Sequence, residues 1–102
     1  MLSFFKKIFG PSADFKELVA NGALIIDVRT PQEYRGGHIN RSQNIPLDQI
    51  KSKIPELKKA GKPLITVCKS GARSSMAVSI LKAAGFEVYN GGSWNSLKSK
   101  IN

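Results

Sequence analysis

Two short apolar runs constrain the fold of this chain more than any other feature. They occupy residues 24–28 (Leu-Ile-Ile-Asp-Val) and 64–67 (Leu-Ile-Thr-Val), are rich in β-branched residues, and are each followed by a segment with helical signals. Strands that are apolar on both faces are typical of a parallel sheet buried between helices. The alternation of strand and helix therefore predicts an α/β fold with a mostly parallel central sheet and helices on both faces.

Further helices are predicted before and between these runs. Residues 14–20 have helical apolar spacing, and residues 30–33 (Thr-Pro-Gln-Glu) combine an N-cap, a first-turn proline and a capping box. The spacing of apolar side chains over residues 47–57 also predicts a helix, which Pro55 is expected to break or kink.

The last third of the chain continues the same pattern. Apolar side chains between residues 76 and 84 give one face to a helix that is predicted to close at Gly85, and residues 86–89 are predicted to form a last short strand. In an open parallel sheet, ligands bind at the carboxyl ends of the strands. The segment between the strand at 64–67 and this helix is therefore the expected position of a functional site.

Length and composition limit the chain to one small domain, predicted at residues 13–102 after an N-terminal extension at residues 1–12. With 102 residues and 41% hydrophobic content, it can bury a single modest core. No run approaches the ~20 apolar residues of a membrane span, so stable membrane insertion is not expected. In residues 1–9 the lysines fall inside the apolar stretch, unlike an export signal. We expect this segment to pack on the domain or fray, with surface membrane contact as the weaker alternative.

The only cysteine, Cys68, lies where the second apolar run ends and a helical pattern begins. A strand that turns into a helix directs backbone N–H groups at one point, which stabilises negative charge there. Lys69 and Arg73 add cations, and Gly71 lets the backbone bend. The alternative interpretation is that Cys68 is an unreactive buried residue that packs like a small hydrophobic side chain. The nearby cations and the start of a helix favour a reactive thiolate instead. The predicted anion-binding loop comprises Lys69, Ser70, Gly71, Ala72, Arg73 and Ser74.

The length of this loop favours sulfur over phosphorus as the target. Tyrosine-phosphatase-type loops place five residues between the cysteine and the arginine, and the resulting ring of amides encloses a tetrahedral phosphate. Here only residues 69–72 separate Cys68 from Arg73. The shorter ring suits the outer sulfur of a persulfide on Cys68, so a phosphatase or an arsenate reductase is the less favoured interpretation.

With these motifs the chain resembles the rhodanese family of sulfurtransferases over most of its length, from Asp14 to Lys98. The first motif ends a strand in Asp-x-Arg and continues into a short helix with Glu and an aromatic residue. The second pairs Gly-His-Ile with Asn-Ile-Pro, the third is the catalytic loop, and the fourth is a glycine turn after the last strand. These motifs lie at residues 26–34, 37–39 with 44–46, 68–74 and 90–92.

The resemblance implies supporting roles for several residues outside the loop. Asp27 and Arg29 are expected to brace neighbouring loops, Glu33 belongs to the first motif, and His38 is expected to organise a loop, not to act as a general base. Arg41 and Trp94 depart from the family pattern. At the position of Arg41 the family often has a small residue or glycine, and the family's aromatic residue usually lies further along the chain than Trp94. The terminal helix is accordingly expected to be short or atypical.

The basic composition favours anionic small molecules as partners. Sixteen basic and seven acidic residues give a formal net charge of +9, which attracts anionic donors and also nucleic acid. No aromatic residues alternate with the lysines of the densest basic stretch, as a base-stacking surface would require. We therefore expect a solvated face and no nucleic-acid binding. The stretch contains Lys51, Lys53, Lys58, Lys59 and Lys62.

The expected function is sulfur transfer through a persulfide on Cys68, from thiosulfate or a persulfide donor to cyanide or a small or protein thiol. No cofactor and no metal are expected, since His, Cys and carboxylates do not cluster at ligand spacing. A thiol that cycles in this way fits a reducing cytoplasm, and we expect the protein to be a monomer. Two alternatives stay open: a persulfide carrier that docks on a sulfur-using protein, and a non-catalytic rhodanese-like binding module.

Overall fold

The computed structural model describes residues 14–102, so the predicted extension at residues 1–12 and the apolar segment at residues 1–9 lie outside the described residues. Four parallel strands form one sheet in the order β2-β1-β3-β4. This arrangement confirms the predicted fold class. The strands are β1 (Leu24–Asp27), β2 (Gln43–Asn44), β3 (Leu64–Cys68) and β4 (Val88–Ser93).

Helices cover both faces of the sheet, as predicted. A 3₁₀ turn at Leu47–Gln49 precedes the third of them. The helices are α1 (Phe15–Ala20), α2 (Pro31–Arg35), α3 (Ile50–Ala60), α4 (Ala72–Ala83) and α5 (Trp94–Ile101). Within residues 14–102, no helix is both long enough and apolar enough to cross a bilayer.

Each face of the sheet has its own core because successive side chains of a strand point in opposite directions. On one face Ile26 packs with residues of α3 and α4, including Ile50 and Leu81. On the other face Ile25 packs with residues of α1 and α5, including Leu97. Burial on both sides explains why the central strands are apolar runs without alternation.

The start of α2 has the predicted capping box. The Glu33 N–H donates to Thr30 Oγ1 over 3.2 Å, and the Thr30 N–H donates to Glu33 Oε1 over 3.0 Å, with Pro31 in the first turn. These bonds satisfy backbone donors that the helix leaves free at its first turn. Glu33 is thereby held at the start of α2, close to the site described below.

Of the two effects predicted for Pro55, a break or a kink in the third helix, the break is wrong. Helix α3 runs without interruption from Ile50 to Ala60 with Pro55 inside it. Proline removes one N–H donor, but Pro55 is exposed, so water can bind the carbonyl that loses its partner. The buried side chains of Ile50 and Leu57 anchor the helix on either side of the proline.

The prediction that the last strand ends at residue 89 before a glycine turn is also wrong. Phe86 lies between α4 and the strand, and its N–H donates back to Leu81 O of α4 over 3.1 Å. Strand β4 begins later and continues through the glycines, pairing with β3 as far as Cys68 across an irregularity at Thr66/Val67. Glycine is required within the strand because a Cβ on Gly91 would lie 2.9 Å from Val67 Cγ1.

Arg41 occupies a turn that would suit a smaller residue. Its φ angle of 70° is the only positive value among non-glycine residues of the described chain. A side chain in this left-handed conformation costs about 1–2 kcal/mol. The turn is held by Ser42, whose N–H and hydroxyl both donate to Ile39 O, over 3.1 and 2.6 Å, and whose carbonyl accepts the Tyr34 hydroxyl.

Candidate active site

Cys68 is the last residue of β3 and lies at the base of the predicted loop. Its side chain is buried, with a relative exposure of 1%. The N–H groups of Gly71 and Ser74 donate to Sγ over 2.9 and 3.4 Å. Gly71 has a φ of 110° and is the N-cap of α4, so glycine at this position allows the turn that aims the first of these donors at the sulfur.

The surroundings of Cys68 favour its thiolate form. Burial acts most strongly on the pKa of the thiol and raises it, because a charged sulfur loses its water. The Ser74 hydroxyl, followed by the N–H groups of Ser74, Gly71 and Ser70, lowers the pKa by hydrogen bonding to the thiolate. Together these bonds outweigh burial, and the pKa of Cys68 lies below its ordinary value.

Ser74 connects Cys68 to the neighbouring strand. It is fully buried, and its hydroxyl oxygen lies 3.4 Å from Cys68 Sγ, 3.0 Å from Gly71 O and 2.6 Å from Asn90 Oδ1. Its carbonyl accepts the Thr66 hydroxyl over 2.9 Å. No local signal in the sequence marks Asn90 as a neighbour of the cysteine, because an asparagine before two glycines indicates only a turn.

Arg73 is engaged in an ion pair and is not a free cation. Its two terminal nitrogens bind the two carboxylate oxygens of Glu33 over 2.7 and 3.0 Å. These bonds to Arg73, together with the backbone bond from Thr30, lower the pKa of Glu33 from 4.5 to about 2. Lys69, by contrast, is exposed and has no acidic partner within residues 14–102. Of the two predicted loop cations, Lys69 is therefore the one available to a ligand.

Asp27 and Arg29 form a buried pair beside the loop. Arg29 Nε lies 2.9 Å and Nη2 2.8 Å from the Asp27 carboxylate oxygens. The guanidinium also donates to Glu33 O over 3.2 Å and to Gly37 O over 2.7 Å, and it stacks over the Trp94 ring at 4.7 Å. These contacts tie β1 to the backbone of α2 and its following loop, and the bracing role in sulfur transfer stays a prediction.

The His38 side chain contacts Tyr34, the residue four positions before it. Its Nδ1 lies 2.7 Å from Tyr34 O, and its ring stacks on the Tyr34 ring with 3.8 Å between centroids. Within the described residues, the groups that hydrogen-bond to Cys68 Sγ belong to Ser70, Gly71 and Ser74, and His38 is not among them. The same part of the chain contains no group of three or more His, Cys, Asp or Glu residues arranged to hold a metal ion.

Two curated proteins illustrate the sequence similarity. The uncharacterized protein YqhL of Bacillus subtilis (strain 168) is 42% identical over 69 residues, which cover 67% of this chain and 54% of that protein. The chain thus spans about half the length of this relative. The thiosulfate sulfurtransferase GlpE of Ectopseudomonas mendocina (strain ymp) is 36% identical over 90 residues, which cover 87% of this chain and 80% of the relative.

Structural and family comparisons agree with these similarities. A solved structure described as rhodanese with anions from E. coli superposes with a TM-score of 0.68 and 30% identity, covering 74% of this chain and 91% of that one. The family model described as Rhodanese-like domain matches residues 12–100. The resemblance seen in the sequence motifs is therefore confirmed, and the chain belongs to the rhodanese family.

Proposed function

We propose that this chain is a sulfurtransferase that carries sulfane sulfur as a persulfide on Cys68. The observation that carries the proposal is the position of Sγ, which lies at the carboxyl end of β3 and accepts N–H bonds from Gly71 and Ser74. This environment favours a thiolate, which is the nucleophilic form of cysteine. The relative named thiosulfate sulfurtransferase supports the same activity.

The reaction is a double displacement. The Cys68 thiolate attacks the outer sulfur of thiosulfate, a new S–S bond forms, the S–S bond of the donor breaks, and sulfite leaves with the electron pair. The outer persulfide sulfur carries the negative charge, and the backbone amides of residues 69–74 hold it there. A thiolate or cyanide then attacks the outer sulfur, which returns the Cys68 thiolate. No separate base is needed to start from an ionised thiol.

The surroundings of the loop favour a small anionic donor. Since Cys68 is buried, the donor must present an unhindered terminal sulfur to reach Sγ. Lys69 is exposed beside this position and supplies the unpaired positive charge. A persulfide whose terminal sulfur is unhindered meets the same requirement and is the second donor class. We place the reaction in a reducing compartment such as the cytoplasm, because a free thiol must be regenerated at each turnover.

The proposal is tested by intact-protein mass spectrometry after treatment with thiosulfate. The wild type should gain the mass of one sulfur atom, and cyanide should remove it with release of thiocyanate. Cys68→Ser should show neither the adduct nor turnover, whereas Ser79→Ala, at an exposed position of α4, should behave as the wild type.

Each outcome distinguishes the proposal from its alternatives. A wild type that forms the adduct but turns over poorly with thiosulfate and small thiols would be a persulfide carrier for a protein acceptor. A wild type that forms no adduct with thiosulfate or with an organic persulfide would be a binding module, and the sulfurtransferase proposal would be wrong. An adduct on Cys68→Ser would exclude Cys68 as the site of sulfur loading.

A further inference from the structure

The hydroxyl group of Ser74 has more acceptors than it has hydrogens. A serine hydroxyl donates one hydrogen, yet its oxygen lies within hydrogen-bonding distance of Gly71 O, Asn90 Oδ1 and Cys68 Sγ, at 3.0, 2.6 and 3.4 Å. At any moment, at most one of these acceptors receives a full hydrogen bond. The share of this hydrogen that Sγ receives therefore changes how strongly the negative charge of the thiolate is stabilised.

The orientation of the Asn90 amide decides this competition. The Gly92 N–H points at Asn90 Oδ1 over 2.9 Å, and a backbone N–H requires an acceptor. The Asn90 Nδ2 donates to Gly71 O over 3.3 Å on the other side. The side-chain oxygen of Asn90 is thus fixed towards Ser74, and two oxygen atoms 2.6 Å apart need a hydrogen between them.

We propose that Asn90 is a positioning residue that competes with the Cys68 thiolate for the Ser74 hydroxyl hydrogen, weakens the bond from Ser74 to Sγ and thereby favours the persulfide over the free thiolate. When Sγ is a thiolate, it competes with Asn90 for this hydrogen, and one acceptor is left without it. When Cys68 carries a sulfur atom, the negative charge lies on the outer sulfur, and Sγ no longer competes. In the persulfide form the Ser74 hydroxyl can donate to Asn90 without depriving a charged Sγ of a hydrogen bond, so the competition for the hydrogen ends when sulfur is bound.

The other charges near Cys68 do not depend on this hydrogen. Asp27 and Arg29 pair with each other, as do Glu33 and Arg73, and the ring of His38 bonds to the Tyr34 carbonyl. On β4 the titratable residue is Tyr89, which donates to Glu87. Ile50 and Leu57 of α3 belong to the same buried apolar cluster as Cys68. The charged and titratable groups on the elements around Cys68 also include Lys69 in the loop, Lys82 on α4 and, on α3, Glu56 and four lysines, all of which are exposed or half-buried.

The first test measures ionisation of Cys68 without any sulfur donor. Thiolate absorbance in the ultraviolet is followed against pH, with Cys68→Ser as the baseline. Asn90→Ala should move the midpoint to lower pH, because the freed hydroxyl can donate to the thiolate. Asn90→Asp keeps the acceptor and adds a negative charge near Sγ, so both effects should move the midpoint to higher pH. A midpoint that stays the same or rises in Asn90→Ala would overturn the proposal.

A second background shows whether Asn90 acts through Ser74. In Ser74→Ala there is no hydroxyl hydrogen to share, so adding Asn90→Ala should leave the midpoint unchanged. If the shift persists in this background, or if Asn90→Ala alone causes none, the proposal is wrong. Thermal unfolding of each variant verifies that it is folded, and the exposed position of Asn90 makes its replacement tolerable.

The second test concerns sulfur loading and rests on the proposed function. At a fixed ratio of thiosulfate to sulfite, the ratio of persulfide to free Cys68 should fall about threefold in Asn90→Ala, as expected from one modest hydrogen bond. An unchanged ratio would contradict the bias towards the persulfide. If the wild type forms no persulfide, the sulfurtransferase proposal fails, while the ionisation test still decides whether Asn90 controls the hydrogen.

Discussion

At the scale of single residues, Glu33 has two structural tasks at once. Its side chain completes the capping box at the start of α2, and the same carboxylate binds Arg73 at the start of α4. The first task is visible in the sequence as a local pattern, whereas the second joins residues 40 positions apart. Glu33 therefore links the start of α2 to the start of α4.

We expect Glu33→Gln to lower the free energy of unfolding by about 1 kcal/mol at neutral pH. Glutamine can still accept the Thr30 N–H, but it loses the ionic bonds to Arg73. Solvent screens this pair, because the two side chains are 31% and 35% exposed. The pKa of Glu33 falls from 4.5 to about 2 on folding, so its contribution is fully present above pH 4.5 and is lost as the pH falls through about 2.

Urea unfolding at a series of pH values checks this prediction. The difference between the wild type and Glu33→Gln should be largest above pH 4.5 and should shrink towards pH 2. Glu56→Gln is the matched control, since Glu56 is 72% exposed and lies 3.6 Å from Lys53. A difference that does not change with pH would show that the charge of Glu33 contributes nothing to stability.

At the scale of elements, the site depends on how closely β4 approaches β3. The approach brings Asn90 next to Ser74 and places Ser93 beside Cys68 in the register of the two strands. Gly91 permits it, because any side chain there would meet the side chains of Ile65 and Val67. The glycines of β4 thus determine the position of the residue that we propose controls the Ser74 hydrogen.

Gly91→Ala should destabilise the fold by about 1–3 kcal/mol, which is the usual cost of overpacking a core. The added Cβ would lie 2.9 Å from Ile65 Cγ2 and from Val67 Cγ1, and 3.0 Å from Thr66 O. Gly36→Ala is the control. The φ of Gly36 is −74°, which alanine adopts readily, and an added Cβ would have Glu33 O as its nearest neighbour, at 3.4 Å. Chemical unfolding should show a change of about 0.5 kcal/mol or less for this control. Equal losses in both variants would contradict the packing argument.

At the scale of the whole molecule, the chain has an unusually high positive charge. The net charge of +9 includes Lys69, which is exposed beside the cysteine loop, while Arg29 and Arg73 are neutralised by carboxylates. A positive field attracts anions over a distance that salt shortens. The charge should therefore act on the capture of an anionic donor more than on the sulfur chemistry itself.

For the proposed activity, kcat/KM with thiosulfate should fall several-fold between about 20 and about 200 mM NaCl, because added ions screen the attraction of a dianion. A neutral organic persulfide, assayed with the same acceptor, should show little change over this range. Steady-state kinetics with both donors checks the prediction. Parallel losses for the two donors would show that salt acts on the protein or on chemistry and not on capture.

The sequence by itself determined the fold class and the position of the proposed nucleophile. The two apolar runs, the capping box at Thr30 and the segment that begins at Cys68 are local patterns, and neighbouring residues are enough to form them. Helix signals and strand burial act over a few residues, so the parallel sheet and the cysteine loop could be predicted without knowing which distant residues meet.

Only the tertiary structure decided which residues surround the sulfur. The pairing of Arg73 with Glu33 and of Ser74 with Asn90 joins residues 40 and 16 positions apart. The continuation of α3 through Pro55 depends on buried anchors, and the course of β4 depends on the fit of Gly91 against β3. These outcomes depend on distances between packed elements, which no local pattern specifies, because each becomes favourable only after the sheet and its helices have assembled.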